Sequence, residues 1–263
     1  MRLHPAIPGA AAAGLVLALG ACGADTKAPS TTTAPAPAPG TTTAPQSSGA
    51  TEAGGGGTAA TPSRAAGLEA PLSFHLRRRA QLRTAPGGKV ITTLKLKTEF
   101  RSPQILAVAG RRPGWVHVRT SVAHHGLGWL PTNAGVLFSE PRTIVIDLSA
   151  HRLKLFHRGK LTNTYKVAIG APGTPTPTGT FAITDRLTVP PGTAYGCCIL
   201  ALTAHQDKIA QGWGGGDRVA IHATPDTSAL GKSVSHGCVR GSNAALHELM
   251  RRVRLGTPVT IKA

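Results

Sequence analysis

Acidic side chains are scarce in this sequence. Its 263 residues hold 11 Asp and Glu against 29 Lys and Arg, a formal net charge of +18. Such an imbalance raises nucleic acid as a partner. The features that would support it are missing: the basic residues are scattered, they are not interleaved with aromatics, and zinc-finger spacing is absent. Aromatics make up only 4% of the chain. The apolar stretch near the start, from about Ala6 to Ala21, is shorter than the roughly 20 residues a membrane span needs, and it contains Pro8. Cysteine is rare as well, at positions 22, 197, 198 and 238. No Cys-x-x-Cys or His-x-x-x-His pair occurs, so a zinc site would have to be assembled from His222, His236 and Cys238. The His-x-Cys spacing suits shared coordination poorly, and no metal is expected in the chemistry. Apolar residues are nonetheless 41% of the chain, enough for a real core, and the length suits two small folded units plus tails.

The N-terminal part is unlike the rest. Arg2 precedes a stretch rich in Ala, Leu and Val, so residues 1–21 read as a secretory signal. Leu19-Gly20-Ala21-Cys22 resembles the bacterial lipobox. That resemblance implies lipidation of Cys22, which would become the mature N-terminus and anchor the protein to the outer face of a membrane. Residues 22–66 are mostly Thr, Ala, Pro and Gly with almost no large apolar side chain. They cannot bury enough area to offset chain entropy, and they are expected to form a disordered tether. A long tether suits a folded part that must reach the cell wall, whose anionic character also suits the positive charge.

Residues 67–138 suggest a small β-barrel. Val90, Thr92, Leu94 and Leu96 alternate after a Pro-Gly-Gly turn, Gln104–Gly110 is a short apolar strand, and Gly turns precede Trp115 and Trp129. The order of these pieces is similar to bacterial SH3-like domains. Trp115 and Trp129 are expected at the core or rim, and His124 and His125 in a solvated turn.

Residues 139–263 predict a second, mainly β unit. Ile144, Ile146 and Leu148 alternate, as do Leu153 and Leu155, and a His-Arg-Gly-Lys turn leads to the next strand, as in an antiparallel meander. Leu246, Leu249, Met250 and Val253 fall at helical spacing, with Ser242 or Asn243 as the cap and Gly256 and Pro258 beyond. His151, His157 and His205 are expected to be surface or strand residues without a special role.

The chemistry concentrates in Ser235-His-Gly-Cys-Val-Arg240. A reactive cysteine needs a thiolate, a base within reach, and donors aimed at the developing oxyanion. His222 ends a strand 16 residues before Cys238, and the intervening loop is polar and contains glycine. Adjacent N–H groups at Gly237 and Cys238 are candidate oxyanion donors, and Arg240 with the histidines is expected to favour the thiolate. Cys197 and Cys198 are neighbours, and a bond between neighbours is strained and uncommon. They are expected to be small buried residues or thiols.

Four blocks, Thr174–Phe181, Ile221–Asp226, Gly231 and Ser235–Arg240, together resemble the YkuD-type catalytic domain of L,D-transpeptidases. The resemblance implies a β-sandwich with one packed helix, following the SH3-like barrel. It implies Cys238 as nucleophile and His222 as general acid/base, with His236 and Gly237 shaping the site. Arg240 would support the loop or the substrate, and Ser235 would order the loop. The implied reaction joins peptidoglycan stem peptides through 3-3 cross-links with loss of D-alanine, without metal or organic cofactor and without nucleic acid, in a lipid-anchored monomer of the cell envelope. Water or a protein lysine could replace the stem-peptide amine as acceptor, and a non-enzymatic wall-binding lipoprotein is the competing reading. Two positions depart from the family pattern. Ala223 stands where Gly or Ser is usual, although the backbone carbonyl thought to orient the histidine survives the change, and Gly241 replaces a common apolar residue. Tyr195 and Trp213 lie in a segment that should include the lid, and neither is given a role.

Overall fold

Residues 70–263, apart from positions 124, 191 and 211, are described by a computed structural model of the protein. The expected signal segment, the Cys22 lipobox and the tether lie outside the described residues, as does His124.

Seven short strands come first: Leu72–Leu76 (β1), Ala80–Arg83 (β2), Val90–Leu94 (β3), Ile105–Arg112 (β4), Trp115–Arg119 (β5), Leu127–Pro131 (β6) and Gly135–Ser139 (β7). They form one antiparallel sheet in the order β3-β2-β6-β5-β4-β1-β7. Its core is Phe74, Leu76, Leu82, Leu106, Val116, Val118 and Leu130. Burying each of these contributes roughly 1.5–3 kcal/mol. The alternation predicted from Val90 to Leu96 is only half buried: Leu94 is inside, but Val90 and Leu96 are exposed. The reason is position, because β3 is the edge strand and has a partner on one side only. Trp129 sits half-buried on the sheet surface, stacked on His117 and covered by the Arg112 guanidinium.

Ten further strands follow: Arg142–Asp147 (β8), Arg152–His157 (β9), Lys160–Lys166 (β10), Ile169–Gly170 (β11), Gly179–Thr188 (β12), Cys198–His205 (β13), Arg218–Thr224 (β14), Ser233–Ser235 (β15), Val239–Ser242 (β16) and Pro258–Lys262 (β17). Eight of them form a sheet in the order β10-β9-β8-β17-β12-β13-β14-β16, while β11 and β15 make a parallel pair. The predicted antiparallel meander holds for β8, β9 and β10. Pairing at the other end of the chain, for which the sequence carried no expectation, is partly parallel. The last strand, β17, inserts between β8 and β12, parallel to β8, and β16 runs parallel to β14. Parallel neighbours need a long connection. The loop 225–238 supplies it for β16, and the helix α1 (Asn243–Arg252) lies on the way back to β17.

The protein is thus mainly β, with one α-helix among the described residues. Ser242 caps it by accepting the Ala245 N–H at 3.2 Å, and Arg251 and Arg252 in the last turn suit the helix dipole. Leu246 and Leu249 are buried against the second sheet's core of Ile144, Ile146, Leu200 and Ile221. The helix stops at Arg252, and Val253 still buries its side chain as predicted.

Both sheets lie in one compact unit. Across their boundary Ser73 Oγ donates to Gly256 O at 3.1 Å and Arg119 donates to Thr180 O at 2.7 Å. His205, expected to have no special role, bridges them: its ring nitrogens lie 2.8 Å from Asp217 Oδ1 and 2.8 Å from Ser121 O. A further buried link is Arg218, 4% exposed. Its guanidinium meets Glu99 of the first sheet's β3–β4 loop, Thr184 and the Leu202 carbonyl, and lies 3.5 Å from the fully buried Asp185. Asp185 in turn accepts from Thr98 of the same β3–β4 loop.

Candidate functional site

The parallel pairing of β14 and β16 sets His222 opposite Arg240 and Ile221 opposite Val239. Cys238 is one step ahead of that ladder, where its sulfur accepts the Ala220 N–H at 3.3 Å. Side chains alternate along a strand. Ile221 and Val239 therefore enter the main core, while Ala220 and Cys238 join Ile199 in a small cluster on the opposite face. His222, two residues after Ala220 and paired with Ile199, belongs to that same face. The loop that separates His222 from Cys238 in sequence thus closes a short distance in space.

The imidazole is oriented. His222 Nδ1 lies 2.7 Å from the Ala223 carbonyl. A carbonyl only accepts, so Nδ1 carries the proton and Nε2 is left with the lone pair of a base. The replacement of Gly or Ser by Ala223 leaves this contact intact, since it uses the main chain.

The loop bearing Cys238 hangs from hydroxyls. Ser235 Oγ accepts the Gly237 N–H at 3.2 Å and donates to the Cys238 carbonyl at 2.5 Å. Thr174 Oγ donates to Ser235 O at 3.0 Å. Buried Thr176 accepts the Gly170 N–H at 2.8 Å and donates to Gly237 O at 2.9 Å. Gln206 donates to His236 O at 2.7 Å. Gly237 has φ +107°, and a Cβ there would come within 2.9 Å of Gln206, so glycine is required on both counts. The Gly237 N–H, expected among the oxyanion donors, is engaged with Ser235 in this state. His236 has an exposed side chain and contributes its carbonyl to the loop's support. Thr176→Val keeps the shape but leaves the Gly170 N–H and the Gly237 carbonyl unpaired. It is expected to cost about 1–3 kcal/mol and to lower turnover, checked by thermal melting alongside steady-state kinetics.

Burial dominates the electrostatics. The Cys238 thiol is pushed up to about 11 by desolvation, against the smaller opposite pulls of the Ala220 N–H, Arg240 and Trp213. The imidazole of His222 is pushed down to about 4, again by desolvation first, with the Ala223 carbonyl opposing and Arg240 adding to the shift. The sequence predicts a thiolate stabilised by Arg240 and the histidines. The structure instead holds a neutral thiol beside a neutral imidazole, because loss of water outweighs one nearby cation.

Both groups are 3% exposed, and two rings account for the cover. Tyr195 stands edge-on to His222 with centroids 4.8 Å apart, and its hydroxyl is raised by burial first and, once the thiol ionises, by Cys238. Trp213 packs on the Cys238 cluster, and its indole N–H donates to Arg218 O at 3.2 Å. Phe100 from the first sheet's β3–β4 loop lies 5.2 Å from Trp213, and the Arg218 guanidinium sits 5.8 Å and 5.9 Å from the two rings. Arg240 Nε is buried and has no hydrogen-bond partner among the described residues, although the Arg240 charge acts on His222, Cys238 and Tyr195.

Cys238 and His222 are brought together, with Arg240 beside them. Ser235 and Gly237 hold the loop. Sequence reasoning missed Thr174, Thr176 and Gln206 as supports. Thr174 and Thr176 lie inside the Thr174–Phe181 block, but only the fold shows what their hydroxyls reach. The expectation of thiols at 197 and 198 is not met. Cys197 and Cys198 are bonded to each other, Cys197 lying in the turn that precedes β13, where strict strand alternation does not yet separate the side chains.

A family model described as the YkuD L,D-transpeptidase catalytic domain matches residues 141–261. Two curated bacterial relatives, each named putative L,D-transpeptidase YkuD, are similar to the same part. The one from Bacillus licheniformis is 36% identical over 121 residues, covering 46% of this chain and 66% of the relative. The one from Bacillus subtilis is 35% identical over 124 residues, covering 47% and 68%. The chain therefore spans about two thirds of these relatives' length. Among solved structures, an L,D-transpeptidase from Mycobacterium smegmatis aligns with 20% identity and a TM-score of 0.41, covering 71% of this chain and 99% of that one. L,D-transpeptidase 3 from Mycobacterium tuberculosis, with a faropenem-derived adduct, aligns at 17% identity and a TM-score of 0.41, covering 52% and 73%.

Proposed function

Because the chain belongs to the YkuD family of L,D-transpeptidases, we propose that it is a peptidoglycan L,D-transpeptidase that forms 3-3 cross-links through a cysteine thioester. The observation that carries this reading is the oriented imidazole of His222 on the face that also holds the Cys238 sulfur. Nε2 takes the thiol proton as sulfur attacks the carbonyl of the third stem residue. The proton then passes to the departing amine of D-alanine, leaving a thioester. A side-chain amine of a second stem peptide attacks this thioester, and His222 takes a proton from the amine and returns one to the sulfur.

Because the resting pair is neutral, proton transfer and attack proceed together rather than from a preformed thiolate. Tyr195 and Trp213 must part for the donor strand to enter. The Nε of Arg240, which no described residue pairs, then has an anion to meet, and the carboxylate of a stem peptide suits it. The cell envelope is the setting for this function, with Cys22 as the lipid anchor, residues 22–66 as the tether and residues 67–138 as an SH3-like module.

The test is incubation with tetrapeptide-stem muropeptides followed by mass spectrometry, with Cys238→Ala as the blank. Dimers with loss of D-alanine are the expected products and should be absent from the blank. Loss of D-alanine without dimers would make the protein a carboxypeptidase. Unchanged substrate in both samples would overturn an enzymatic role and leave wall binding.

A further inference from the structure

Cys197 closes the turn after Tyr195, and Cys198 opens β13. The catalytic scheme uses neither. Among the described residues, these two and His247 form the one group of three potential metal-ligand atoms lying within 4.8 Å of one another. Cys198 Sγ is 3.9 Å from His247 Nδ1. His247 sits on α1 one turn after Asn243, so the two share a helix face. Asn243 ties the cysteine turn to that helix: its side-chain oxygen accepts the Cys197 N–H at 2.9 Å, and its carbonyl lies 3.8 Å from Cys197 Sγ. Gly196, at φ +58°, is pressed against the strand that carries the base, since a Cβ there would come within 2.5 Å of Ala223. The group is therefore rigidly backed. It also opens outward, because Thr193, Gly196, Cys197, Pro225, Asn243 and His247 line a cleft of about 590 Å³.

We propose that Cys197, Cys198 and His247 form a site for a soft divalent cation of the Zn²⁺ type, opened when a dithiol reduces the Cys197–Cys198 bond. The dithiol becomes a disulfide and passes two electrons and two protons to the pair, giving two thiols. Each thiol releases its proton to water as its sulfur binds the cation. The lone pair of neutral His247 Nδ1 supplies the third ligand, and a water from the cleft occupies the fourth position. Tetrahedral zinc, with bonds near 2.3 Å to sulfur and 2.0–2.1 Å to nitrogen, sets S and N roughly 3.6 Å apart. The Cys198–His247 separation is already close to that, so the main movement required is the parting of the two sulfurs. The site shares no ligand with Cys238 and His222, and it does not depend on the transpeptidase reading.

The test uses the full chain carrying Cys22→Ala and Cys238→Ala, which removes the two other thiols. The protein is reduced with a dithiol, freed of it anaerobically, and titrated with Zn²⁺ against a chromophoric chelator. The expected result is one Zn²⁺ per chain, with two thiols protected from alkylation and unchanged circular dichroism. Reoxidation, Cys198→Ser and His247→Ala should each weaken binding by at least the roughly 10–100-fold that loss of a mere outer-shell partner costs. Equal affinity in the oxidised protein, retained affinity in His247→Ala or Cys198→Ser, or unfolding on reduction would each overturn the proposal.

Discussion

A His222→Ala protein is expected to turn over roughly 10²–10⁴-fold more slowly than wild type, the usual contribution of a positioned general base. The loss should be large because the Cys238 thiol, pushed up to about 11, supplies almost no thiolate by itself at neutral pH. The pH profile separates this role from a structural one. His222 is pushed down to about 4, and kcat/KM reports the free enzyme. The acid limb of kcat/KM should therefore fall near pH 4, since protonated imidazole cannot accept the thiol proton. A limb near 6.5, the value of a solvated imidazole, would mean that Tyr195 does not cover the ring in solution.

Stability should follow the same group. The folded-state value lies below the unfolded one, so as pH falls through about 6.5 the unfolded chain takes up a proton that the folded chain refuses. Stability is lost from about pH 6.5 down to about pH 4, by on the order of 3 kcal/mol. It is fully present above that window. Denaturant melts of wild type and His222→Ala across the window provide the check: the slope should be steeper in the first than in the second, where His75 and His117, also held down by burial, still contribute.

Arg218→Met is expected to cost about 3–5 kcal/mol, because it leaves the fully buried Asp185 carboxylate beside an apolar side chain. For a protein of this size the melting temperature should drop by about 10 °C. The cost should shrink when Asp185→Leu is added, since replacing both partners of a buried pair by apolar groups is far milder than orphaning one. A drop of only a degree or two in the single variant would mean that water reaches Asp185 and the pair is not truly desolvated. Activity should fall as well. The same guanidinium holds Phe100 of the first sheet against Trp213, which covers Cys238. The first sheet is therefore physically joined to the cover of the reactive thiol.

Periodicity alone determined a good part of the protein. Alternation in Ile144–Leu148 and Leu153–Leu155, and the helical spacing of Leu246 and Leu249, are local consequences of which face is buried, and the strands and helix appear where those patterns stand. The candidate pair of Cys238 and His222 was also legible, because Cys238 sits beside Gly237 in a polar loop and His222 ends an apolar strand 16 residues earlier. Local pattern has no means of specifying a partner far along the sequence. Only the tertiary structure decided that β17 inserts beside β8, that β16 runs parallel to β14, and that the hydroxyls of Thr174 and Thr176 reach the nucleophile loop. The protonation states were decided there too. A sequence shows which charges are near, such as Arg240, but not how much water is taken away. At this site the removal of water is the larger effect and leaves thiol and imidazole both uncharged.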